Sequence, residues 1–280
     1  MNQALLDFDQ SPRISKEGFD QISKYVNTTY GINLSEAKKN LVENRLFNRL
    51  RLLRMNTYAE YIRHIFEPNG KQELELLCDF LSTNKTYFYR EPAHFHFVQD
   101  LLKNAPSGKS WKVWSAASSA GDEAYTLSCI FEDILKAKSL QYSILGTDIS
   151  KRMIDEAREG MYAHNRINLL PSNLTKAYFT KTQDERKQEY YCASQVIRKN
   201  VRFQQFNLIS DIRVLNEKFD IIFCRNVLIY FKDEMKQQVV NELISKLNPG
   251  GYLILGHCEG MICRNTGLKQ IGSAIFLNHK

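Results

Sequence analysis

The residues best placed to do chemistry are acids standing at the ends of two short apolar runs. Trp111 to Ala117 is strand-like and leads straight into Ser118-Ser119-Ala120-Gly121-Asp122-Glu123, and Tyr142 to Thr147 is a second such run, ending at Asp148. In open parallel sheets, ligands bind off the carboxyl ends of the strands, where the strand order reverses. Small residues in the first turn would let a ligand approach the backbone closely. A carboxylate at 148 can accept both hydroxyls of a ribose. A dinucleotide site ordinarily has Gly-x-Gly-x-x-Gly and a helix N-terminus open to pyrophosphate. Here the turn holds one glycine, and Asp122 and Glu123 stand where the phosphates would lie. Two acids repel a pyrophosphate but suit the ammonium of an amino-acid moiety, which favours S-adenosylmethionine over a nicotinamide dinucleotide. An acidic helix start that merely answers the helix dipole is the competing reading. The turn and Asp148 alone leave both open.

Other reactive side chains form no comparable set. The six cysteines, at 78, 129, 192, 224, 258 and 263, include no Cys-x-x-Cys pair and read as small buried hydrophobes in a reducing compartment. His94 and His96 are two apart with no evident partner for a zinc site, so no metal is expected. The net charge of +7 points to an acidic partner without naming it. It is concentrated between Lys38 and Arg54, where Lys38, Lys39, Arg45, Arg49, Arg51 and Arg54 are opposed by Glu43 alone. The start of the chain is polar and acidic (Asp7, Asp9), unlike a secretory leader. No apolar stretch approaches a bilayer span. A cytoplasmic protein without membrane insertion is expected.

These groups need a frame. Residues 1 to about 80 read as an all-helical domain: Phe19, Ile22 and Tyr25-Val26 at helical spacing in a first helix, then Ser35 as N-cap of a second reaching about Leu53. Val42, Leu46, Leu50 and Leu53 make one stripe on that second helix. Shorter helices follow over Tyr58–Phe66 and Lys71–Leu81. With no proline- or glycine-rich linker, the boundary is placed at about 80, giving domains 1–80 and 81–280. The second domain alternates strand and helix. A helix from about Glu123 follows the first strand, and Ser150–Glu159 follows the second. Phe219–Cys224 is a buried strand, Asp233–Leu247 a helix, Asn248-Pro249-Gly250-Gly251 a turn, Tyr252–Gly256 a strand, and Ala274–Leu277 a closing edge strand. This is the α/β class, with a mostly parallel sheet covered on both faces. Residues 162–200 are too long for one crossover and carry a charged middle, Lys181 to Glu189. They read as a small inserted subdomain, with a strand at Gln195-Val196-Ile197-Arg198.

Five ordered segments sharpen the reading: Asn84-Lys85-Thr86-Tyr87-Phe88-Tyr89-Arg90-Glu91; Trp114-Ser115-Ala116-Ala117 with Gly121-Asp122-Glu123-Ala124-Tyr125; Thr147-Asp148-Ile149; Phe223-Cys224-Arg225-Asn226-Val227-Leu228-Ile229-Tyr230-Phe231; and Gly256-His257-Cys258-Glu259. Taken together they closely resemble the chemotaxis receptor methyltransferase (CheR) family. The resemblance extends to the helical domain through Asn44-Arg45-Leu46 and Arg49-Leu50-Arg51. It implies a Rossmann-like S-adenosylmethionine-dependent methyltransferase domain with an inserted β-subdomain, preceded by an all-α domain. It also implies an enzyme that esterifies glutamate side chains of receptors, leaving S-adenosylhomocysteine as product.

By matching position, the resemblance puts cofactor contacts at Asn84, Thr86, Arg90, Glu123, Asp148, Asn207, Leu208, Arg225 and Asn226. Asp148 would take the ribose hydroxyls and Glu123 the ammonium, with Asn207-Leu208 at the adenine edge. Arg90 and Tyr230 would stand beside the transferred methyl as the catalytic pair. The implied substrate is the acidic cytoplasmic helical bundle of a receptor, met by Arg45, Arg49 and Arg54. A monomer is expected, with no nucleic-acid partner. Two motifs depart from the family pattern: Asp122 replaces a glutamate, Ala124 a proline and Thr126 a serine in the first, and Cys258 a serine in the second. Tyr178 to Asn200 also lacks glycine, which speaks against tethering to a receptor tail peptide by the glycine-containing loop of some relatives. A glutamate nucleophile with a pKa near ~4.3 is ionised at neutral pH and needs no general base. His257, the one candidate base, is expected to be structural. An RNA methyltransferase would want a longer basic surface with interleaved aromatics. A silent S-adenosylmethionine-binding adaptor would be expected to lack Arg90, Asp148 or Asn226.

Overall fold

In the computed structural model, residues 12–135 and 141–279 are described; the polar start containing Asp7 and Asp9 lies outside them. The chain divides into two units, Met1–Ser82 and Thr83–Lys280. No described helix is long and apolar enough to cross a membrane.

The first unit is a set of helices stitched by side-chain caps. Helix α1 (Lys16–Tyr30) starts where the Ser15 hydroxyl accepts the Gly18 amide at 3.0 Å. Helix α2 (Lys39–Leu52) is preceded by a 3₁₀ turn over Glu36–Lys38, and this turn separates Ser35 from the amides it was expected to cap. Helix α3 (Tyr58–Phe66) opens with a reciprocal Thr57–Glu60 box, and α4 (Lys71–Leu81) follows. Val42, Leu46 and Leu50 are buried as their stripe requires. The basic face of α2 is less available than its composition suggests. Arg49 grips Glu73 through two bonds of 2.9 and 2.6 Å, while the Tyr61 hydroxyl donates to the same carboxylate. Arg45 donates to the carbonyls of Leu81 and Ser82 at 2.7 and 3.0 Å, capping the end of α4. Two of the three expected docking arginines therefore hold this unit together. Arg54 remains exposed.

The second unit opens with α5 (Pro92–Asn104), which the sequence reading left unassigned. Its signal was present, as a proline in the first turn followed by Phe95, Val98 and Leu102 at helical spacing. Then come β1 (Ser110–Ser115), α6 (Asp122–Leu135), β2 (Gln141–Asp148) and α7 (Lys151–Glu159). The inserted segment contains β3 (Met161–Ala163), α8 (His164–Ile167), α9 (Ser172–Tyr178), β4 (Phe179–Gln183), β5 (Glu189–Ala193) and α10 (Gln195–Arg198). The main sheet resumes with β6 (Val201–Gln205), β7 (Phe219–Cys224), α11 (Asp233–Ser245), β8 (Leu247–Leu255), β9 (Lys269–Gly272) and β10 (Ile275–Leu277).

Among the described residues the main sheet has the order β6-β2-β1-β7-β8-β10-β9, with the first five strands parallel and the last two antiparallel. Successive residues alternate between two cores, as a strand buried on both faces must. Val113, Ile144, Ile221 and Ile254 enter one cluster, and Trp114, Leu145, Ile222 and Leu253 the other. The order reverses at β1, whose neighbours are β2 and β7. Their carboxyl ends frame the site.

Three local readings are corrected. Gln195–Arg198 is one helical turn: Ile197 is buried and its carbonyl accepts from Ser128, while Val196 is 45% exposed. Asn248–Gly251 lies inside β8, as an irregularity where Gly250 takes φ 73° and its amide pairs with the Asn278 carbonyl. The closing strand β10 is not an edge, because the polar β9 covers it. The charged stretch in the insert is the tip of a β4–β5 hairpin, in a small sheet of order β3-β5-β4.

Candidate active site

The turn after β1 is pinned to both neighbouring strands. The Ala116 amide donates to the Phe223 carbonyl at 2.7 Å and the Ser118 amide to the Thr147 carbonyl at 2.8 Å. Asp148, 8% exposed at the tip of β2, receives the Ser119 amide on one oxygen and the Ser150 amide on the other, each at 2.9 Å. Two backbone donors fix the carboxylate plane. Each oxygen has two acceptor positions, so the group can still engage paired hydroxyls. Gly121 corrects an expectation: it does not open the turn to a ligand. At φ 89°, an added Cβ would meet Ala157, Phe203 and the Tyr162 hydroxyl at 3.0 Å, all core atoms.

The two acids at the start of α6 point different ways. Asp122 is fully buried and pairs with Arg166 through both carboxylate oxygens, so it takes no part in receiving an ammonium. Burial pushes its pKa up against the pull of Arg166. Glu123 accepts from the Ser115 hydroxyl at 2.6 Å and lies 3.4 Å from Arg225 Nε. Burial pushes the Glu123 carboxyl up as well, with Arg225 and Ser115 opposing it.

Arg225 is buried beside the stacked rings of Phe95 and Phe223, 5.3 and 5.8 Å from their centroids, and donates to the Arg90 carbonyl. Among the described residues its Nε and Nη1 lack a hydrogen-bond partner. The Arg90 guanidinium folds back onto the Lys85 carbonyl at 2.8 Å and over the Tyr87 ring. Asn84 joins the same region through its carbonyl, which accepts from Ser119 at 3.4 Å. Asn207 and Leu208 follow β6, tied to β2 by the Phe206 amide on the Asp148 carbonyl at 2.8 Å. The contacts thus form two sets, Asn84 with Asp148 through Ser119, and Arg90 with Glu123 through Arg225, while Asn226 joins Arg225 through Glu91 and Asn207-Leu208 follow β6. Thr86 and Tyr230 are partly buried, and among the described residues no side-chain hydrogen bond ties them to either set. Arg45, Arg49 and Arg54 belong to the other unit.

Two organising residues were not singled out from sequence. Ser115 orients Glu123. Glu259, 1% exposed, accepts the amides of Asn226 at 2.7 Å, Gly256 at 2.9 Å and Ile229 at 3.2 Å, holding the turn from Arg225 to Tyr230. Its signal was the acid closing Gly256-His257-Cys258-Glu259. Glu91, His94 and His257 bring possible ligand atoms within 4.8 Å of one another, a grouping that short-range spacing could not reveal. Arg225 Nε lies 3.6 Å from the Glu91 oxygen, and that guanidinium disfavours a dication there.

Comparison with known proteins extends along both units. The CheR methyltransferase all-alpha domain matches residues 17–82 and the CheR methyltransferase SAM binding domain matches residues 84–276. A chemotaxis protein methyltransferase of Borreliella burgdorferi is 34% identical over 99% of this chain and 99% of its own length. Chemotaxis protein methyltransferase 2 of Pseudomonas aeruginosa is 30% identical over 96% and 95% of the two chains. The chemotaxis protein methyltransferase of Escherichia coli is 31% identical over 91% and 88%.

Proposed function

The chain belongs to the CheR methyltransferase family, and on that premise we propose that it transfers the methyl group of S-adenosylmethionine to glutamate carboxylates of chemotaxis receptors. The observation that carries the reading is the pair of fixed acids at the strand-order reversal, Asp148 on two amides and Glu123 on Ser115. They suit the ribose and the ammonium of that cofactor, and Arg225 Nη1, which among the described residues has no hydrogen-bond partner, suits its carboxylate. Asn84, Thr86, Asn207, Leu208 and Asn226 complete the proposed binding set.

When bound, S-adenosylmethionine supplies a methyl group activated on a sulfonium. The rest of the work falls to side chains of this chain. The incoming glutamate is ionised at neutral pH, so no proton need be removed. Arg90, turned away from Lys85, and Tyr230 hold its oxygen in line with the methyl. Such alignment contributes up to roughly 7–11 kcal/mol in favourable cases. Incubation with methyl-labelled S-adenosylmethionine and receptor-containing membranes, then alkali, is expected to release volatile labelled methanol, the mark of a carboxyl ester. An alkali-stable label would refute esterification.

Binding of the product S-adenosylhomocysteine should depend on pH through Glu123. Ammonium recognition needs the carboxylate, so affinity is full above its raised pKa and falls as pH drops through it. That places the loss above the ordinary glutamate value of 4.5. Calorimetry across pH checks this, with Glu123→Gln expected to bind more weakly and with a flatter profile. A wild-type profile already flat across that range contradicts the role.

The acidic cytoplasmic helices of a receptor are the proposed partner. Because Arg45 and Arg49 bind their own unit, Arg54 is the docking arginine that can be tested without disturbing it. Arg54→Glu should raise the KM for receptor about threefold at low ionic strength, an effect fading with salt. An unchanged KM at low salt would remove Arg54 from the docking surface.

A further inference from the structure

Glu91, beside Arg90, has no part in the chemistry above, yet its surroundings are unusual. Its backbone is left-handed, at φ 58° and ψ 68°. Such a conformation is unfavourable for a non-glycine residue and persists only where neighbours enforce it. The side chain is 14% exposed. One oxygen accepts from the Asn226 amide nitrogen Nδ2 at 3.1 Å; the other lies 3.6 Å from Arg225 Nε and 3.4 Å from His94 Nδ1. His94 Nε2 faces the Ser273 carbonyl at 3.1 Å and so carries the proton of a neutral ring. Its Nδ1 then offers Glu91 only a lone pair, and the charge of Glu91 is answered by Arg225.

The contact is returned from the other side, since Arg225 donates to the Arg90 carbonyl. Residues 90–91 and 225–226 are joined in both directions across 135 positions of sequence. Asn226, itself at φ 58°, is held by its backbone on Glu259 and by its side chain on Glu91.

We propose that Glu91 is a positioning residue for the cofactor: its carboxylate sets the Asn226 amide and the Arg225 guanidinium in their receiving orientation without touching the cofactor. This rests on the assignment of Arg225 and Asn226 to that ligand.

The test is a double-mutant cycle read by S-adenosylhomocysteine calorimetry on the full chain: wild type, Glu91→Ala, Asn226→Ala and both together. Glu91→Ala is expected to weaken binding about tenfold, with the double variant losing at least threefold less than the product of the two single losses, because part of what Glu91 does is exerted through Asn226. Glu91→Gln, which can still accept from Asn226 but carries no charge for Arg225, should fall between. If Glu91→Ala does not fold, Glu91→Leu, which also removes the acceptor for Asn226 and the charge for Arg225 but fills the space, takes its place in the cycle, with the same non-additivity required. Losses that simply multiply, or affinity within twofold of wild type when Glu91 is replaced, overturn the proposal. Failure of the wild-type chain to take up the ligand would instead overturn the cofactor assignment, and this inference with it.

Discussion

Replacing Asp148 with alanine is expected to abolish measurable uptake of S-adenosylhomocysteine while leaving the chain folded. The carboxylate is proposed to accept both ribose hydroxyls, and hydrogen bonds to a charged group contribute about 1.5–3 kcal/mol each. Losing two corresponds to roughly a hundredfold to ten-thousandfold in affinity. The substitution also releases the Ser119 and Ser150 amides. A modest fall in melting temperature should therefore accompany the loss. Asp148→Asn separates the two effects, since it retains the shape and one acceptor but turns the other oxygen into a donor. Calorimetry of both variants, with circular dichroism to establish folding, decides. Binding within threefold of wild type in folded Asp148→Ala would remove Asp148 from the cofactor site.

Replacing Arg90 with alanine should lower kcat for receptor methylation by about a hundredfold, through lost alignment of the nucleophile. The architecture should survive, because the contact that Arg225 makes with residue 90 is to the backbone carbonyl, which alanine keeps. The lost side-chain bond is to the Lys85 carbonyl in a partly exposed loop. Lysine at this position keeps the charge but not the planar fork, so Arg90→Lys should recover only part of the rate. Labelled methanol release at saturating cofactor gives the comparison, and wild-type turnover in Arg90→Ala would refute the role.

Periodicity identified the elements whose residues have two clear fates, inside or outside. Tyr58–Phe66, Lys71–Leu81 and Phe219–Cys224 match their sequence readings because apolar spacing and end signals agree there. It failed where tertiary contacts decide. Lys269–Gly272 carries no apolar alternation, and only pairing with β10 makes it a strand. Gln195–Arg198 has two adjacent apolar residues that suit either state, and the amides of Arg198 and Lys199, which donate back to Ser194 and Gln195, make it a turn of helix. In the site, Asp148 was legible from its place at a strand end. Asp122 and Glu123 looked equivalent as neighbours; a helix start sends adjacent side chains in different directions, and the distant Arg166 decides between them. Arg45 and Arg49 misled for the same reason: their partners, the end of α4 and Glu73, lie 24 to 37 residues away.

The Asp122–Arg166 pair also bears on what could be trimmed from this enzyme. Arg166 is carried by α8 in the inserted segment, and its carbonyl also receives the Phe88 amide. A version that kept the packing over α6 but lost Arg166 would leave the buried Asp122, first residue of α6, without this counter-ion, a defect of about 3–5 kcal/mol. The insert is thus a keystone of the catalytic half, and variation in its hairpin tip is tolerable only while α8 stays in place.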